Sequence, residues 1–355
     1  MQGKTLLIRA DASAEIGVGH VMRCIALSEA WQKAGGRAIF ALAQGAAELE
    51  TRIRSHGGEV LRIEGDPGSG EDAASTAEFI ARCGADWFVL DGYQFRSDYI
   101  RGIEAVATRF LVIADGGQNF DFDCDLVVNP EPGVSEEAYR SGTQRGEALL
   151  GPRYALLRRE FVRFPLERRT VPQVARNILI TFGGGDSHNV TLQVLRAFEE
   201  ITDLRFELTV VAGPSNPHRA SLEAAAGSSH HALRLLSNTE NMPELMSQSD
   251  LAITAGGGTC YELAFMRVPM VLITIARNQD RAVEAYVSAN AAIAAGAFQS
   301  LDKAKLVDLF REVIFHPALR SNLQENAGKM VDGRGAERIV EKMLAVGGRA
   351  KGRTS

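Results

Sequence analysis

The sequence predicts an α/β protein of two doubly wound, Rossmann-like domains, joined by a linker and facing each other across a cleft. Three observations carry that expectation. Short β-branched runs alternate with longer helical patterns from end to end. The alternation breaks once, in the charged stretch 156–176, which contains Pro165 and Pro172. Glycine clusters follow apolar runs instead of gathering in a low-complexity tract. The length of 355 residues suits two domains, each able to bury a core.

In chain order, the first half offers the strands "TLLIRA", "AIFALA", "WFVLD", "RFLVIAD" and "DLVVNP". The second half offers "NILITF", "ELTVVAG", "HALRLL", "DLAITAG" and "PMVLITIA". Continuous apolar runs bounded by Gly, Asp or Pro suit strands buried on both faces of a parallel sheet. The segments between them read as crossover helices of βαβ units. Further helical patterns follow at 302–314, at 317–331 and in "AERIVEKMLAV". The expected division is a first domain at 1–157, a linker at 158–176, a second domain at 177–346 and a frayed tail at 347–355.

Composition excludes several function classes. A net charge of -5 gives no reason to expect a nucleic-acid partner. No stretch reaches the roughly 18 apolar residues of a membrane span. The N-terminal "MQGKTLLIRAD" meets an acidic residue too early for a signal peptide, so a cytoplasmic location is expected. Four cysteines without a C-x-x-C pair read as buried free thiols. P-loop, H-E-x-x-H and G-x-S-x-G motifs are absent, and neither a metal nor a cofactor is expected. The doublet His230-His231 reads as surface.

Ligands of open α/β sheets bind outside the carboxyl ends of the strands, so the strand-to-helix loops are where chemistry is expected. The first such loop, Gly17-Val18-Gly19-His20, opens a helix that Gly35-Gly36 ends, with Asp11 and Arg23 close in sequence. It lacks the third glycine of a dinucleotide fingerprint, because position 22 is Met. The second, "TFGGGDSHN", offers Gly185, Asp186 and Asn189, with Asp186 also able to cap the following helix. The third, "TAGGGTCYELA", sets Gly257, Gly258 and Thr259 at a helix start with Glu262 one turn in. That order suits a diphosphate at the N–H groups and a carboxylate at the ribose hydroxyls. Around it lie Asn238 to Met242, before it, and Asn278 with Gln279, after it.

These blocks resemble the UDP-sugar hydrolase family of pseudaminic acid biosynthesis and its spore-coat polysaccharide relatives. The resemblance rests on "RADAS…IGVGHVMRC", "LLGPRYALLRREF", "ITFGGGD…N", "NMPELMSQSDLAITAGGGTCYELA…VP…NQ" and "VDGRGAERIV", and it covers nearly the whole chain. It implies a glycosyltransferase B type fold with a UDP-sugar as substrate partner. It also implies that Gly257, Gly258 and Thr259 meet the diphosphate and Glu262 the ribose. The loop from Asn238 to Met242 would hold the uracil, and Asn278 and Gln279 would face the sugar. His20 would act at the anomeric carbon, with Asp11 and Tyr93 as further candidate catalytic residues and Gly17, Gly19 and Arg23 beside it. The family often has Asp-His-Tyr where this chain has Asp91-Gly92-Tyr93, and an Asp-Asp pair where this chain has Asp115-Gly116.

The expected reaction is hydrolysis of the anomeric C–O bond with inversion, releasing UDP and a free 2,4-diacetamido-2,4,6-trideoxy sugar for nonulosonic (pseudaminic) acid biosynthesis. A nucleoside diphosphate leaves as a stable anion and hardly needs protonation. One base for water and fixed donors for the departing charge then suffice, without the carboxylate pair of glycosidases. The same groups also suit a UDP-sugar-dependent glycosyltransferase of surface polysaccharide synthesis, or a non-catalytic nucleotide-sugar-binding protein.

Overall fold

The computed structural model describes residues 3–346, apart from 14–17, 46, 104–105, 107, 115–123, 141–145, 167–168, 184, 214–215, 238 and 240. The chain forms two compact units, Met1–Arg159 together with Gly333–Ser355, and Glu160–Asp332.

The first unit carries β1 (Thr5–Ala10), β2 (Arg37–Leu42), β3 (Glu59–Arg62), β4 (Trp87–Asp91), β5 (Arg109–Ile113), β6 (Leu126–Asn129) and β7 (Glu147–Leu150). Their order in the sheet is β3-β2-β1-β4-β5-β6-β7, and every pairing is parallel. The order reverses between β1 and β4, where Ala10 lies in register with Asp91. Successive side chains of a strand face opposite sides of the sheet. Leu6, Ile8 and Ala10 accordingly share a core with Trp87, Val89 and the helix Gly19–Lys33. Leu7, Phe88 and Leu90 share the opposite core with Ala73 and Ile80 of the helix Gly70–Cys83.

The second unit carries β8 (Asn177–Thr181), β9 (Glu207–Ala212), β10 (Ala232–Ser237), β11 (Leu251–Ala255), β12 (Met270–Thr274) and β13 (Ile293–Ala297). These form a second parallel sheet in the order β10-β9-β8-β11-β12-β13, which reverses between β8 and β11.

All ten expected strands form. The three that lacked an apolar signature, β3, β7 and β13, are all sheet edges, and each is partly exposed. A solvated edge needs no continuous apolar run, so its sequence does not stand out.

The terminal helix, Gly335–Ala345, requires a correction to the expected second domain at 177–346. It belongs to the first unit, where Ile339, Val340 and Met343 complete the core around Trp31 and the helix Gly19–Lys33. A Cβ at Gly335 would lie 2.2 Å from the Ala155 carbonyl oxygen and 2.7 Å from the Tyr154 carbonyl carbon. Backbone stands on the other side of that contact, so only glycine lets the helix dock this closely. Gly335→Ala is expected to destabilise the first unit by about 2 kcal/mol, in the range of overpacked cores. Both tryptophans of the chain, Trp31 and Trp87, are buried in this unit. A lower urea midpoint by tryptophan fluorescence is therefore the measurement that checks it.

Buried charge anchors the other face of this sheet. Arg9, fully buried, donates to both carboxylate oxygens of Asp72 at 3.0 and 2.7 Å and pairs with Asp11 at 2.7 Å. Burial works against its charge, but the bonds to Asp72 and Asp11 outweigh that and raise its pKa.

The four cysteines are free; Cys24, Cys124 and Cys260 are buried, whereas Cys83 is half-buried rather than buried as expected. No helix among the described residues is long and apolar enough to cross a membrane.

Candidate functional site

In open parallel sheets the strand-order reversal opens a crevice at the carboxyl edge, and ligands bind there. Each unit has one such reversal, and the polar side chains gather at both.

In the first unit the reversal lies between β1 and β4. His20 sits in the first turn of the helix after β1, and Asp91 is the last residue of β4. His20 Nδ1 lies 2.7 Å from Asp91 Oδ1. Arg23, one turn further along the same helix, donates to Asp91 Oδ2 through Nε at 2.6 Å and to Oδ1 through Nη2 at 2.5 Å. Tyr93 meets the His20 ring edge-on, with centroids 4.9 Å apart, and is itself half exposed. Burial works to raise the Asp91 pKa; the charge and hydrogen bonds of Arg23 and the bond to His20 overcome it and hold the carboxyl at about 2. An ionised carboxylate on Nδ1 orients the imidazole and leaves Nε2 as the acceptor for a proton, the logic of a catalytic histidine with its orienting acid. Nε2 has no hydrogen-bond partner among the described residues.

Asp91 was missed as a site residue in its own right, although strand parity marks it. In "WFVLD" it shares the face of Trp87 and Val89, which pack against the helix of His20. Parity equally corrects the role expected of Asp11. Asp11 follows Leu7 and Arg9 onto the opposite face, where Oδ1 accepts from the N–H groups of Ala43 and Gln44, each at 2.9 Å. Its Oδ2 pairs with Arg9 and accepts from Gln94 at 3.1 Å. Fully buried and saturated, Asp11 braces a loop and does not reach His20. A side chain at Gly92 would meet Gln94 Oε1 at 2.6 Å, so the glycine there leaves room for the Gln94–Asp11 bond. Gly19 begins the helix; Gly17 and Asp115-Gly116 lie outside the described residues.

In the second unit the reversal lies between β8 and β11. The loop after β11 runs through Gly257 and Gly258 into the helix Thr259–Phe265, with Glu262 in its first turn. Among the described residues the N–H groups of Gly258 and Thr259 have no acceptor. A Cβ at Gly257 or Gly258 would meet nothing within 4 Å, so both face open space. Gly256 differs: a Cβ there would lie 2.5 Å from Val283 Cγ2 and 3.3 Å from Gln279 Cβ. That close approach holds the loop after β11 against the loop after β12.

The remaining candidates divide. Asp186 is buried and accepts from Val190 N at 2.8 Å, Thr191 N at 3.0 Å and Thr191 Oγ1 at 2.6 Å. Its carboxylate takes the first two N–H groups of the helix Val190–Phe198 from three residues before the N-cap Asn189, and so occupies that helix start, which corrects its expected substrate contact. Asn189 donates to Ser221 Oγ at 3.2 Å, and Gly185 stands half-buried in the same loop. Gln279 Oε1 accepts from Ile275 N at 3.1 Å, closing its own loop, while Asn278 is exposed beside it. Met242 is 7% exposed at the start of the helix Met242–Gln248, turned into the core. Asn238 lies outside the described residues.

The surface reading of His230-His231 also needs correcting. His230 is exposed, but His231 is buried, and both stand with Glu199 in one cluster. That is the one group among the described residues with side chains that could hold a metal ion.

Two doubly wound parallel-sheet domains of this kind define the glycosyltransferase B type of fold. MurG of Acinetobacter baumannii superposes with a TM-score of 0.68 over 97% of this chain and 100% of that one, at 14% identity. UDP-GlcNAc 2-epimerase from Neisseria meningitidis, solved bound to UDP-GlcNAc, gives 0.65 over 96% and 100%, again at 14% identity. Residues 177–341 match the glycosyltransferase family 28 C-terminal domain.

Homologues extend beyond that domain. The spore coat polysaccharide biosynthesis protein SpsG of Bacillus subtilis is 24% identical, over 94% of this chain and 96% of its own. The UDP-2,4-diacetamido-2,4,6-trideoxy-beta-L-altropyranose hydrolase of Campylobacter jejuni is 23% identical, over 78% and 93%. An uncharacterized protein of Methanocaldococcus jannaschii is 27% identical over 76% of this chain, an alignment that spans 55% of that longer protein.

Proposed function

We propose that this protein is an enzyme acting on UDP-sugars, and specifically a hydrolase that cleaves the anomeric C–O bond and releases UDP. The observation that carries the reading is the His20–Asp91 pair, 2.7 Å apart with Nε2 open, at the strand-order reversal of the first unit. Nε2 of His20 takes a proton from water, and the water oxygen attacks the anomeric carbon from the face opposite UDP. The bond to the diphosphate oxygen breaks, and the electron pair leaves with UDP. The N–H groups of Gly258 and Thr259 receive the diphosphate, and Glu262 accepts from the ribose hydroxyls. The likeness to the Campylobacter hydrolase and the family 28 match at 177–341 support an enzyme acting on a UDP-sugar. By the same likeness the substrate is a UDP-linked 2,4-diacetamido-2,4,6-trideoxy sugar.

The test is incubation with a panel of UDP-sugars in H₂¹⁸O, without any alcohol acceptor. C–O cleavage places ¹⁸O in the sugar and none in UDP. UDP release that begins only when an acceptor alcohol is added favours the glycosyltransferase reading. UDP binding without turnover of any UDP-sugar overturns both and leaves a binding protein.

The loop after β11 gives a second check. Gly258→Ala adds a methyl where the protein itself has open space. It is expected to leave the melting temperature unchanged and to raise KM about tenfold, the loss of roughly one hydrogen bond to a charged group. Gly256→Val, which meets Val283, is expected to lower the melting temperature as well. Thermal melts and steady-state kinetics on the two variants separate a ligand contact from a packing contact.

A further inference from the structure

The second unit holds a cluster that the proposed reaction does not use. Glu199 follows the helix Val190–Phe198, and His230 and His231 immediately precede β10. One ligand atom from each of the three lies within 4.8 Å of the others. His230 Nδ1 stands 2.7 Å from Glu199 Oε2. The other carboxylate oxygen accepts from the Ser229 hydroxyl, which fixes the carboxylate from behind. Ser229 Oγ in turn accepts from the His231 N–H at 3.1 Å.

His231 is the informative member. Only 4% exposed, it lies with Nε2 2.8 Å from the carbonyl oxygen of Phe198. A carbonyl only accepts, so Nε2 carries the proton and Nδ1 carries a lone pair. That Nδ1 is buried and has no hydrogen-bond partner. A buried acceptor without a donor is costly to keep. An imidazole that gives its N–H to a backbone carbonyl and keeps the other nitrogen free is the arrangement metal-bound histidines adopt. A simple His230–Glu199 ion pair accounts for two of the three residues and leaves Nδ1 of His231 unexplained.

We propose that Glu199, His230 and His231 form a binding site for a divalent transition metal ion, of which Zn²⁺ fits the donors best. Two neutral imidazoles and one carboxylate suit Zn²⁺, with water in the fourth position. The ion takes the place of the proton between His230 and Glu199: His230 keeps its ring proton on Nε2 and presents Nδ1. Half-buried Glu199 and exposed His230 close on the buried, fixed His231. The site lies at the amino-terminal edge of the parallel sheet, where β10 begins, whereas the glycine loops lie at the carboxyl edge. It is therefore a clamp between a helix end and a strand start, separate from the UDP chemistry.

The experiment uses the full chain without a histidine tag, stripped with a chelator and titrated with Zn²⁺ against a competing chromophoric chelator. One equivalent is expected to bind, with a rise of about 5 °C in melting temperature once free Zn²⁺ stands at about a hundred times Kd. His230→Ala changes an exposed side chain and Glu199→Gln keeps the shape of a half-buried one; both are expected to fold normally and to weaken binding at least about tenfold each. Zinc-edge X-ray absorption is expected to show a nitrogen and oxygen shell without sulfur. The proposal is overturned if the wild type binds no Zn²⁺ at about 100 μM, far above the dissociation constants of structural sites. Binding that survives both substitutions, or a shell containing sulfur, assigns the ion to a cysteine and overturns it equally.

Discussion

Asp91→Asn is expected to lower kcat for UDP release by about 10⁴-fold, comparable to loss of the orienting acid from a serine-protease triad. The carboxylate accepts from His20 on one oxygen and from Arg23 on both. An amide presents one acceptor and one donor to those three contacts, so either the histidine tautomer or the arginine contact is lost. His20→Ala is expected to cost at least as much, and the double variant no more than the worse single, because the two act as one unit. KM should stay within about threefold in each variant if the pair acts only on the reacting water. A His20→Ala enzyme with near-normal UDP release sinks the assignment of the base.

The same carboxylate has a pH signature. Its folded pKa of about 2 lies below the unfolded value of about 3.9. The stabilisation is therefore fully present above about pH 4 and is lost as pH falls through the interval from about 4 to 2. Wild type should lose urea resistance across that interval more steeply than Asp91→Asn, as read by tryptophan fluorescence.

Arg9→Met is expected to cost the first unit about 3–5 kcal/mol, the penalty for breaking a buried ion pair by removing one partner. Asp11 and Asp72 would remain buried on either side of an uncharged side chain. Asp72 also accepts from Tyr99 at 3.1 Å and from Gly68 N at 2.8 Å, so these neighbours loosen with it. Because the chain has two units, a single unfolding free energy is not defined for it. Tryptophan fluorescence follows the first unit alone, and its urea midpoint should fall while the transition of the second unit stays in place. Asp11→Asn makes the contrast with Asp91: stability should drop, and turnover per folded molecule should stay within about twofold, as for a residue outside the chemistry.

Most of the fold was legible because interior strands of a parallel sheet must be apolar on both faces. That constraint wrote β1, β2, β4 and β8 into the sequence and was absent at the edges, β3, β7 and β13. The candidate site was legible as loops, less so as side chains. His20 stood out because a titratable residue followed a glycine turn. Asp11 looked equivalent on closeness along the chain, but nine residues separate it from His20, and strand alternation sends it to the opposite face. Asp91 is 71 residues from His20, and only the pairing of β1 with β4 brings the two together. The Glu199–His230 contact spans 31 residues for the same reason. Side-chain partners across strands depend on sheet order, which local pattern does not carry.

The return of the terminal helix to the first unit bears on how the chain is made. Residues 160–332 form a continuous unit that is complete before the last segment leaves the ribosome. The first unit begins earlier but finishes later, since Ile339, Val340 and Met343 belong to its core. Until the helix Gly335–Ala345 has formed, the helix Gly19–Lys33 presents an apolar face with its final partner missing. A chain truncated after residue 332 and released should therefore show a protease-resistant second unit and a protease-sensitive first one. Residues 333–355 would then close the first unit in a single late step.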